Sequence, residues 1–175
     1  MSPRGYHTAW LPPPTLAIED VGWLAGIIDG EGCITINKQK AGAGGRVNPS
    51  YRLFMKVTMG HEVAVRRVRD LLDVGSIQPQ VARPRADGVT FNPAWSWWVS
   101  ANEAAAVLRF LRPYLIVKDE EADVALEFAA LPRQLTGGAG GNKTKTPEFV
   151  ALQEEYFCRI RDLKPSARFR RKGQP

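Results

Sequence analysis

The stretch VGWLAGIIDGEGCITIN, residues 21–37, decides the fold because it joins a short apolar helix directly to a strand. Residues 21–31 have helical spacing, and we predict Asp20 as the N-cap of this helix and Gly32 as its stop. Residues 33–40, CITINKQK, then alternate apolar and polar side chains, a pattern typical of a half-buried strand. The fold therefore begins with a helix that feeds a sheet.

Three glycines interrupt this helix at spacings of four residues, Gly22, Gly26 and Gly30. Each costs about 0.8–1.0 kcal/mol relative to alanine in a helix interior, so their presence needs a reason. The spacing places them on one flank, where a second backbone can approach closely. That backbone could belong to another element of this chain or to a second molecule. The opposite flank carries the residues that we expect to face the core, Trp23, Leu24, Ile27 and Ile28.

Two carboxylates, Asp29 and Glu31, stand at the end of the helix, where the helix dipole disfavours negative charge. A divalent cation would remove this penalty, because hard ions such as Mg²⁺ bind carboxylate and carbonyl oxygens. The alternative is an ordinary turn, DGEG, whose acidic side chains are solvated. The residues alone leave both interpretations open.

The rest of the chain repeats the order of helix and hairpin. YRLFMKVTM alternates with Tyr51, Leu53, Met55 and Val57 on one face, and residues 61–73 return to helical spacing. A second hairpin follows, interrupted by prolines that suit sheet edges. In it Trp95 and Trp97 share one phase and Trp98 has the other, and the alternation leaves open which side faces the core. Further helices are predicted over 102–113, with Asn102 as its N-cap, and over 118–132 and 147–163. We therefore predict an α+β protein with an antiparallel sheet.

Composition limits the class of protein. The 175 residues carry a formal net charge of +6, which favours a polyanionic partner. No apolar run approaches the length of a membrane span, and residues 1–20 do not resemble a secretory signal. Cys33 and Cys158 are too few for a disulfide framework, and we predict two reduced thiols in the core. We expect an intracellular protein without a membrane partner.

LAGIIDGEG, residues 24–32, resembles the signature that names the LAGLIDADG homing endonucleases. The αββαββα order, the KVTM that closes the second strand and the LRPYLIVKDEEA before a later helix are also similar to the family pattern. The resemblance covers residues 20–163 and includes a single signature, as in the homodimeric branch of the family. It implies a four-stranded antiparallel sheet that forms a DNA-binding saddle, with extra C-terminal helices.

The resemblance also implies a function. A homodimer would hydrolyse both strands of a long, pseudo-palindromic DNA site with Mg²⁺ or Mn²⁺, leaving 3′ overhangs, and Ca²⁺ would be a non-catalytic substitute. Such enzymes serve mobile genetic elements such as introns or inteins. The alternative is a chain that has lost cleavage and acts as an RNA-splicing maturase or a DNA-binding regulator. The domain prediction is an extended leader over 1–17, the endonuclease domain over 18–163 and a basic tail over 164–175.

The family's functional positions fall on a few residues of this sequence. The resemblance assigns metal binding to Glu31 with the carbonyl of Gly30, and phosphate stabilisation to the basic residue Lys118. The family commonly has a polar residue, often glutamine, where this chain has Met59, which is therefore a catalytic position that departs from the pattern. We expect the nearby His61 to be a helix-start residue and not a general base. Signature helices pack against each other in the dimer, and the predicted interface is Gly22, Ala25, Gly26 and Asp29, where Asp29 would have a structural role near the strand starts.

The polar faces of the strands and their loops complete the predicted site. Arg, Lys, Asn and Gln are the side chains that read base edges in the major groove, which a β-ribbon can enter. Loop arginines suit phosphates. The predicted DNA-binding residues are Thr35, Asn37, Gln39, Arg46, Arg52, Lys56, Gln78, Gln80, Arg83 and Arg85.

Overall fold

The computed structural model describes residues 12, 16–42, 47–80, 93–132, 135–136 and 144–164. Within these ranges lie five α-helices, a four-stranded antiparallel sheet and a two-stranded ribbon, which confirms the predicted α+β class. The elements are α1 (Ile18–Glu31), β1 (Gly32–Gln39), β2 (Ser50–Met59), α2 (Glu62–Leu72), β3 (Ser76–Gln80), β4 (Ala94–Ser100), α3 (Ala101–Leu111), α4 (Asp119–Ala130), β5 (Leu135–Thr136), β6 (Thr144–Lys145) and α5 (Pro147–Asp162).

The main sheet has the strand order β1-β2-β4-β3, so the two hairpins meet along β2 and β4. Every neighbouring pair in it is antiparallel. Pro79 lies on the edge strand β3, as its missing N–H requires. The register sets one row across the sheet, in which Cys33 faces Lys56, Lys56 faces Trp98, and Trp98 faces Ser76. This row defines which side chains share a face.

The helices cover only one face of the sheet. The predicted inward residues of β2, from Tyr51 to Val57, are buried in one cluster with side chains from all five helices. Trp97 is fully buried, and its Nε1 donates a 2.8 Å hydrogen bond to the carbonyl of Val74. Because side chains alternate along a strand, the opposite face of the sheet carries Trp98 and the polar residues of each strand. We call this second surface the open face.

Three local predictions were wrong. Asp20 does not cap α1, which begins at Ile18 after Ala17; its carboxylate instead forms an ion pair with Arg67 at 2.7 Å. Asn102 does not cap α3, because that helix begins at Ala101 after Ser100. Cys33 is an exposed, free thiol on the open face and not a core residue. The Asp20 outcome depends on Arg67, a partner that is distant in sequence.

The last helix, α5, is tied to the first hairpin and to α4. Lys164, the first residue of the predicted tail, donates to the buried carboxylate of Glu121 and to the carbonyl of Ile34, both at 2.6 Å. The Glu154 carboxylate pairs with Lys38 at 2.6 Å and accepts from the Tyr51 hydroxyl, and these bonds lower the pKa of Glu154. Burial and the same hydrogen bond raise the pKa of Tyr51. These contacts fix the end of the β1–β2 hairpin.

None of the helices in the described ranges has the length and apolar character needed to cross a bilayer. Most of the predicted leader and nearly all of the basic tail lie outside the described residues.

Candidate functional site

The end of α1 passes into β1 without a loop. The N–H of Gly32 donates to the carbonyls of Ile27 and Ile28, which closes the helix one residue after Glu31. A Cβ at Gly32 would lie 2.5 Å from the carbonyl oxygen of Ile28, so only glycine fits this close approach. The predicted stop at Gly32 is confirmed. As a result, the acidic end of the helix is held rigidly at the edge where β1 starts.

Asp29 clamps a distant segment onto this helix end. One carboxylate oxygen accepts from the backbone N–H of Ile116 at 2.8 Å and of Val117 at 3.2 Å, and the other accepts from the N–H of Lys118 at 3.0 Å. We define residues 116–118, held in this way, as the clamped segment. The structural role predicted for Asp29 therefore has different partners from those expected, namely the start of α4 and not the strand starts.

Lys118 is turned back towards α1 by the same arrangement. Its ammonium group donates to the backbone carbonyl of Asp29, at the negative end of the α1 dipole. This carbonyl precedes Gly30 directly in the chain, so the structure brings Lys118 next to the predicted metal-binding residues. An ammonium has three N–H donors, and the bond to Asp29 uses one of them. The remaining donors can act on a bound anion.

Glu31 is exposed at the tip of α1, and within the described part of the chain no hydrogen bond or ion pair engages its carboxylate. Gly30 is exposed beside it. A carboxylate and a carbonyl are the oxygen donors that Mg²⁺ prefers, so the donor chemistry fits a divalent ion. Among the described residues, however, no group of three or more acidic, histidine or cysteine side chains could hold a metal.

Met59 lies at the same end of the sheet. β2 reaches two residues beyond Val57, which faces Gly32, and Met59 is its last residue. Its side chain is half-buried and packs against the edge of the core. The neighbouring hydroxyl of Thr58 is hydrogen-bonded to Ser96 at 2.8 Å, and His61 caps α2 through its Nδ1. The expectation that His61 serves as a helix-start residue is confirmed.

The open face collects the predicted polar residues of the strands. The register places them all in the phase opposite the core, at positions Thr35, Asn37, Gln39, Arg52, Lys56, Gln78 and Gln80. Three predicted loop arginines, Arg46, Arg83 and Arg85, lie outside the described residues. The structure thus combines one polar, cationic surface with the helix end that carries Glu31.

The face also carries an aromatic pair that sequence reasoning did not recognise. Phe54 and Trp98 stack on each other on the two central strands, with ring centroids 5.9 Å apart. Alternation places Phe54 in the outward phase, but the partner of Phe54 depends on the β2–β4 register. A local pattern does not contain that register.

The glycine flank of α1 is an open surface. Gly22, Gly26 and Gly30 are exposed, and a Cβ added at any of them would meet no atom within 4 Å. No other element of the described chain packs there, so the flank is free to meet a second molecule. Ala25, which we predicted in the same interface, is 2% exposed and lies in the core of this chain. Asp29, also assigned there, directs its carboxylate to the clamped segment.

No protein-family model matches the chain, and no curated protein matches it in sequence. Solved structures do match in fold. The homing endonuclease I-CvuI, solved in complex with the I-CreI target in the presence of Mg with the DNA not cleaved, aligns at a TM-score of 0.64 and 20% identity, over 85% of this chain and 86% of that one. I-SmaMI, bound to uncleavable DNA, aligns at 0.56 and 18% over 89% of this chain and 49% of that one.

A third neighbour, the I-LtrWI LAGLIDADG homing endonuclease bound to target DNA, aligns at a TM-score of 0.54 and 17% identity, over 90% of this chain and 47% of that one. The chain therefore has the fold of the LAGLIDADG homing endonucleases. It spans most of the I-CvuI chain but about half of I-SmaMI and I-LtrWI. The single LAGIIDGEG signature agrees with this difference in length.

Proposed function

We propose that the protein is a site-specific DNA endonuclease that acts as a homodimer on a long, pseudo-palindromic duplex site and hydrolyses phosphodiester bonds with a divalent metal. The observation that carries this proposal is the Asp29 clamp, which holds Lys118 at the end of α1 that presents Glu31. A cation and a carboxylate gathered at one exposed point suit the binding and cleavage of a phosphodiester. The DNA-bound neighbours described above support the same activity.

The open face supplies the DNA-binding surface in this proposal. Arg52 and Lys56 lie on the same face of β2 and carry positive charge. Amide side chains occupy β1 and β3. The amide groups can read base edges in a groove, and the two cations can contact base edges or the neighbouring phosphates. The net charge of +6 favours the approach of a polyanion.

The chain's own residues then have distinct roles in hydrolysis. A Mg²⁺ ion held by the Glu31 carboxylate and the Gly30 carbonyl would activate water and stabilise the leaving oxygen. Lys118 donates its free N–H groups to the scissile phosphate, whose negative charge grows as water adds to phosphorus. The attacking water gives one proton to the solvent as its oxygen bonds to phosphorus. The bond from phosphorus to one ester oxygen breaks, and that oxygen takes up a proton from the solvent. Asp29 positions Lys118 and does not touch the phosphate.

In this proposal a second copy supplies the further ligands and the second active site, which cuts the other strand. The exposed glycine flank of α1 leaves room for a second α1 at backbone distance, and that approach would bring two Glu31 carboxylates close together. Each copy would then serve one strand of a two-fold symmetric site.

The alternative proposal is a cleavage-deficient LAGLIDADG protein that acts as an RNA-splicing maturase or a DNA-binding regulator. One observation favours it: Met59 presents a thioether, half-buried against the core, where a polar group would hold water. A thioether accepts hydrogen bonds weakly, so this end of β2 contributes little to a water network.

The test is the Glu31→Gln variant, assayed on duplexes that the wild type selects from a randomised pool. We expect cleavage with Mg²⁺ to be abolished and binding in Ca²⁺ to stay within about tenfold, because glutamine keeps the shape but loses the charge that holds the metal. Glu19→Gln is the matched control, since Glu19 is an exposed acid in the first turn of the same helix. Cleavage by Glu31→Gln at the wild-type rate would contradict the assignment.

A further inference from the structure

The open face contains one apolar island, the Phe54–Trp98 pair. The two rings lie at 5.9 Å between centroids and 21° between planes, so they stack nearly parallel. Both residues are half-buried, which means that part of each ring stays accessible on a face whose other long side chains are polar or charged. Core packing does not require them there, because the core lies on the opposite face.

The position of the pair makes it a contact surface. It spans β2 and β4, the two central strands, and the residues that face it on the edge strands are short, with Thr35 opposite Phe54 and Ser76 opposite Trp98. Arg52 and Lys56 lie on either side of Phe54 in the same phase of β2. Two cations therefore lie beside a partly exposed apolar surface at the middle of the sheet.

An apolar surface between two cations suits contact with one particular chemical group of DNA. In the major groove, hydrogen-bond donors and acceptors mark every base pair, but the C5-methyl of thymine is the apolar group, and aromatic side chains contact it. Flanking cations that hold the phosphates would bring the pair down onto the base edges between them. We propose that the Phe54–Trp98 pair reads thymine methyl groups in each half of the site, an inference that rests on the proposed function.

The experiment removes the methyl group and nothing else. A binding site is first selected by the wild type from a duplex pool with a randomised centre, in Ca²⁺ so that the DNA stays intact. Each thymine of the selected site is then replaced by deoxyuridine, and dissociation constants are measured. We expect at least one replacement in each half-site to weaken wild-type binding by about fourfold, because the burial of one methyl group at the interface is lost.

The variants locate the contact. In Phe54→Ser, the same deoxyuridine replacement should produce no further loss, whereas Phe54→Leu, which keeps an apolar side chain, should restore part of the discrimination. Arg52→Ala is the matched control on the same strand: it should weaken binding to both duplexes and preserve the fourfold difference between them. Thermal melting of each variant verifies that the fold is retained.

Three results would overturn the inference. If the wild type binds the selected site equally well with thymine or deoxyuridine at every position, no methyl group is read, while the proposed function stands. If a deoxyuridine effect persists unchanged in both Phe54→Ser and Trp98→Ser, another residue reads the methyl. If the wild type enriches no sequence from the pool, the proposed function falls and this inference falls with it.

Discussion

Asp29 connects two parts of the chain that are 87 to 89 residues apart, and it does so with three backbone hydrogen bonds on one carboxylate. A carboxylate only accepts hydrogen bonds, so all of its lone pairs are available to the N–H groups of the clamped segment. The result is a fixed position for Lys118 beside the end of α1. Asp29 is in this sense a positioning residue for the proposed reaction.

Asp29→Asn should slow cleavage more than it weakens binding. The new amide group presents N–H donors to backbone N–H donors on one side of the clamp, so residues 116–118 shift and Lys118 moves with them. A displacement of about 1 Å costs on the order of 10²-fold in rate, and we expect a loss of that size in single-turnover cleavage. DNA affinity in Ca²⁺ should change by less than about threefold.

The control for this prediction is Asp119→Asn. Asp119 opens α4 directly after Lys118, but its carboxylate bonds to the N–H of Glu120 and does not reach α1. Its substitution should leave the cleavage rate near that of the wild type. Equal losses in rate, affinity and melting temperature for Asp29→Asn would show a general structural role and contradict the positioning role.

Met59→Gln should raise the single-turnover cleavage rate without a change in affinity. A glutamine at the end of β2 would add a polar group beside the helix end, and single polar groups of this kind are worth up to 10²–10³ in rate in other enzymes. The two polar neighbours do not replace it, since Thr58 is bonded to Ser96 and His61 caps α2. Thr58→Ala and His61→Ala should therefore lower stability and leave the rate unchanged. If the Met59→Gln enzyme cuts no faster than the wild type, Met59 does not belong to the active site.

The glycines of α1 and the glycine that ends it have different structural reasons. Gly32 is required by this chain alone, because a Cβ there would press on the carbonyl of Ile28. Gly22, Gly26 and Gly30 are required by nothing within the described chain, since a Cβ at each has open space. A glycine that costs helix stability and relieves no clash within its own chain points to a partner that approaches from outside.

Gly26→Leu should therefore abolish dimer formation and leave the folded monomer intact. The added side chain would keep two α1 helices apart, while the loss of a helix glycine should raise monomer stability by roughly 0.8–1.0 kcal/mol. Sedimentation reports the assembly state, and urea unfolding reports the stability. Asp70→Leu, on an exposed position of α2, controls for the addition of an apolar side chain to the surface. A dimer that persists in Gly26→Leu would place the interface elsewhere.

The strands were predicted well from the sequence because their alternation is local. The inward and outward phases of β1 and β2 follow from a period of two, and the structure confirms them. The orientation of the tryptophans in β4 was left open. Trp97 turns inward because its ring fits against Gly75, which has a φ of +88° and no Cβ, and bonds to Val74. That fit depends on a turn 22 residues earlier, which the alternation of β4 does not contain.

The candidate site shows the same division between local and distant information. The signature predicted a role for Glu31, and the motif before α4 predicted one for Lys118. Neither pattern contained the bonds between Asp29 and the clamped segment, because these join residues far apart in the chain. The N-cap predictions failed for a related reason, since the Asp20 carboxylate finds a distant partner in Arg67 and leaves the helix start.

The molecule as a whole has two chemically different sides, with helices on one face of the sheet and a cationic, polar surface on the other. If DNA lies on the open face, binding must release counterions from the phosphates that Lys and Arg neutralise. The logarithm of the binding constant should then fall linearly with the logarithm of salt concentration, with a slope of about −0.9 per neutralised phosphate. Filter binding or fluorescence anisotropy over a series of salt concentrations measures this slope.

Arg52→Ala tests which face carries the charge that matters. Removal of one phosphate contact reduces the slope by about 1, and a homodimer loses one contact from each copy, so the slope should become shallower by about 2. Arg109→Ala is the matched control, because Arg109 is exposed on α3, on the helical side of the sheet. Its slope should equal that of the wild type. If Arg109→Ala flattens the salt dependence and Arg52→Ala does not, DNA binds the helical side and the open face is not the nucleic-acid interface.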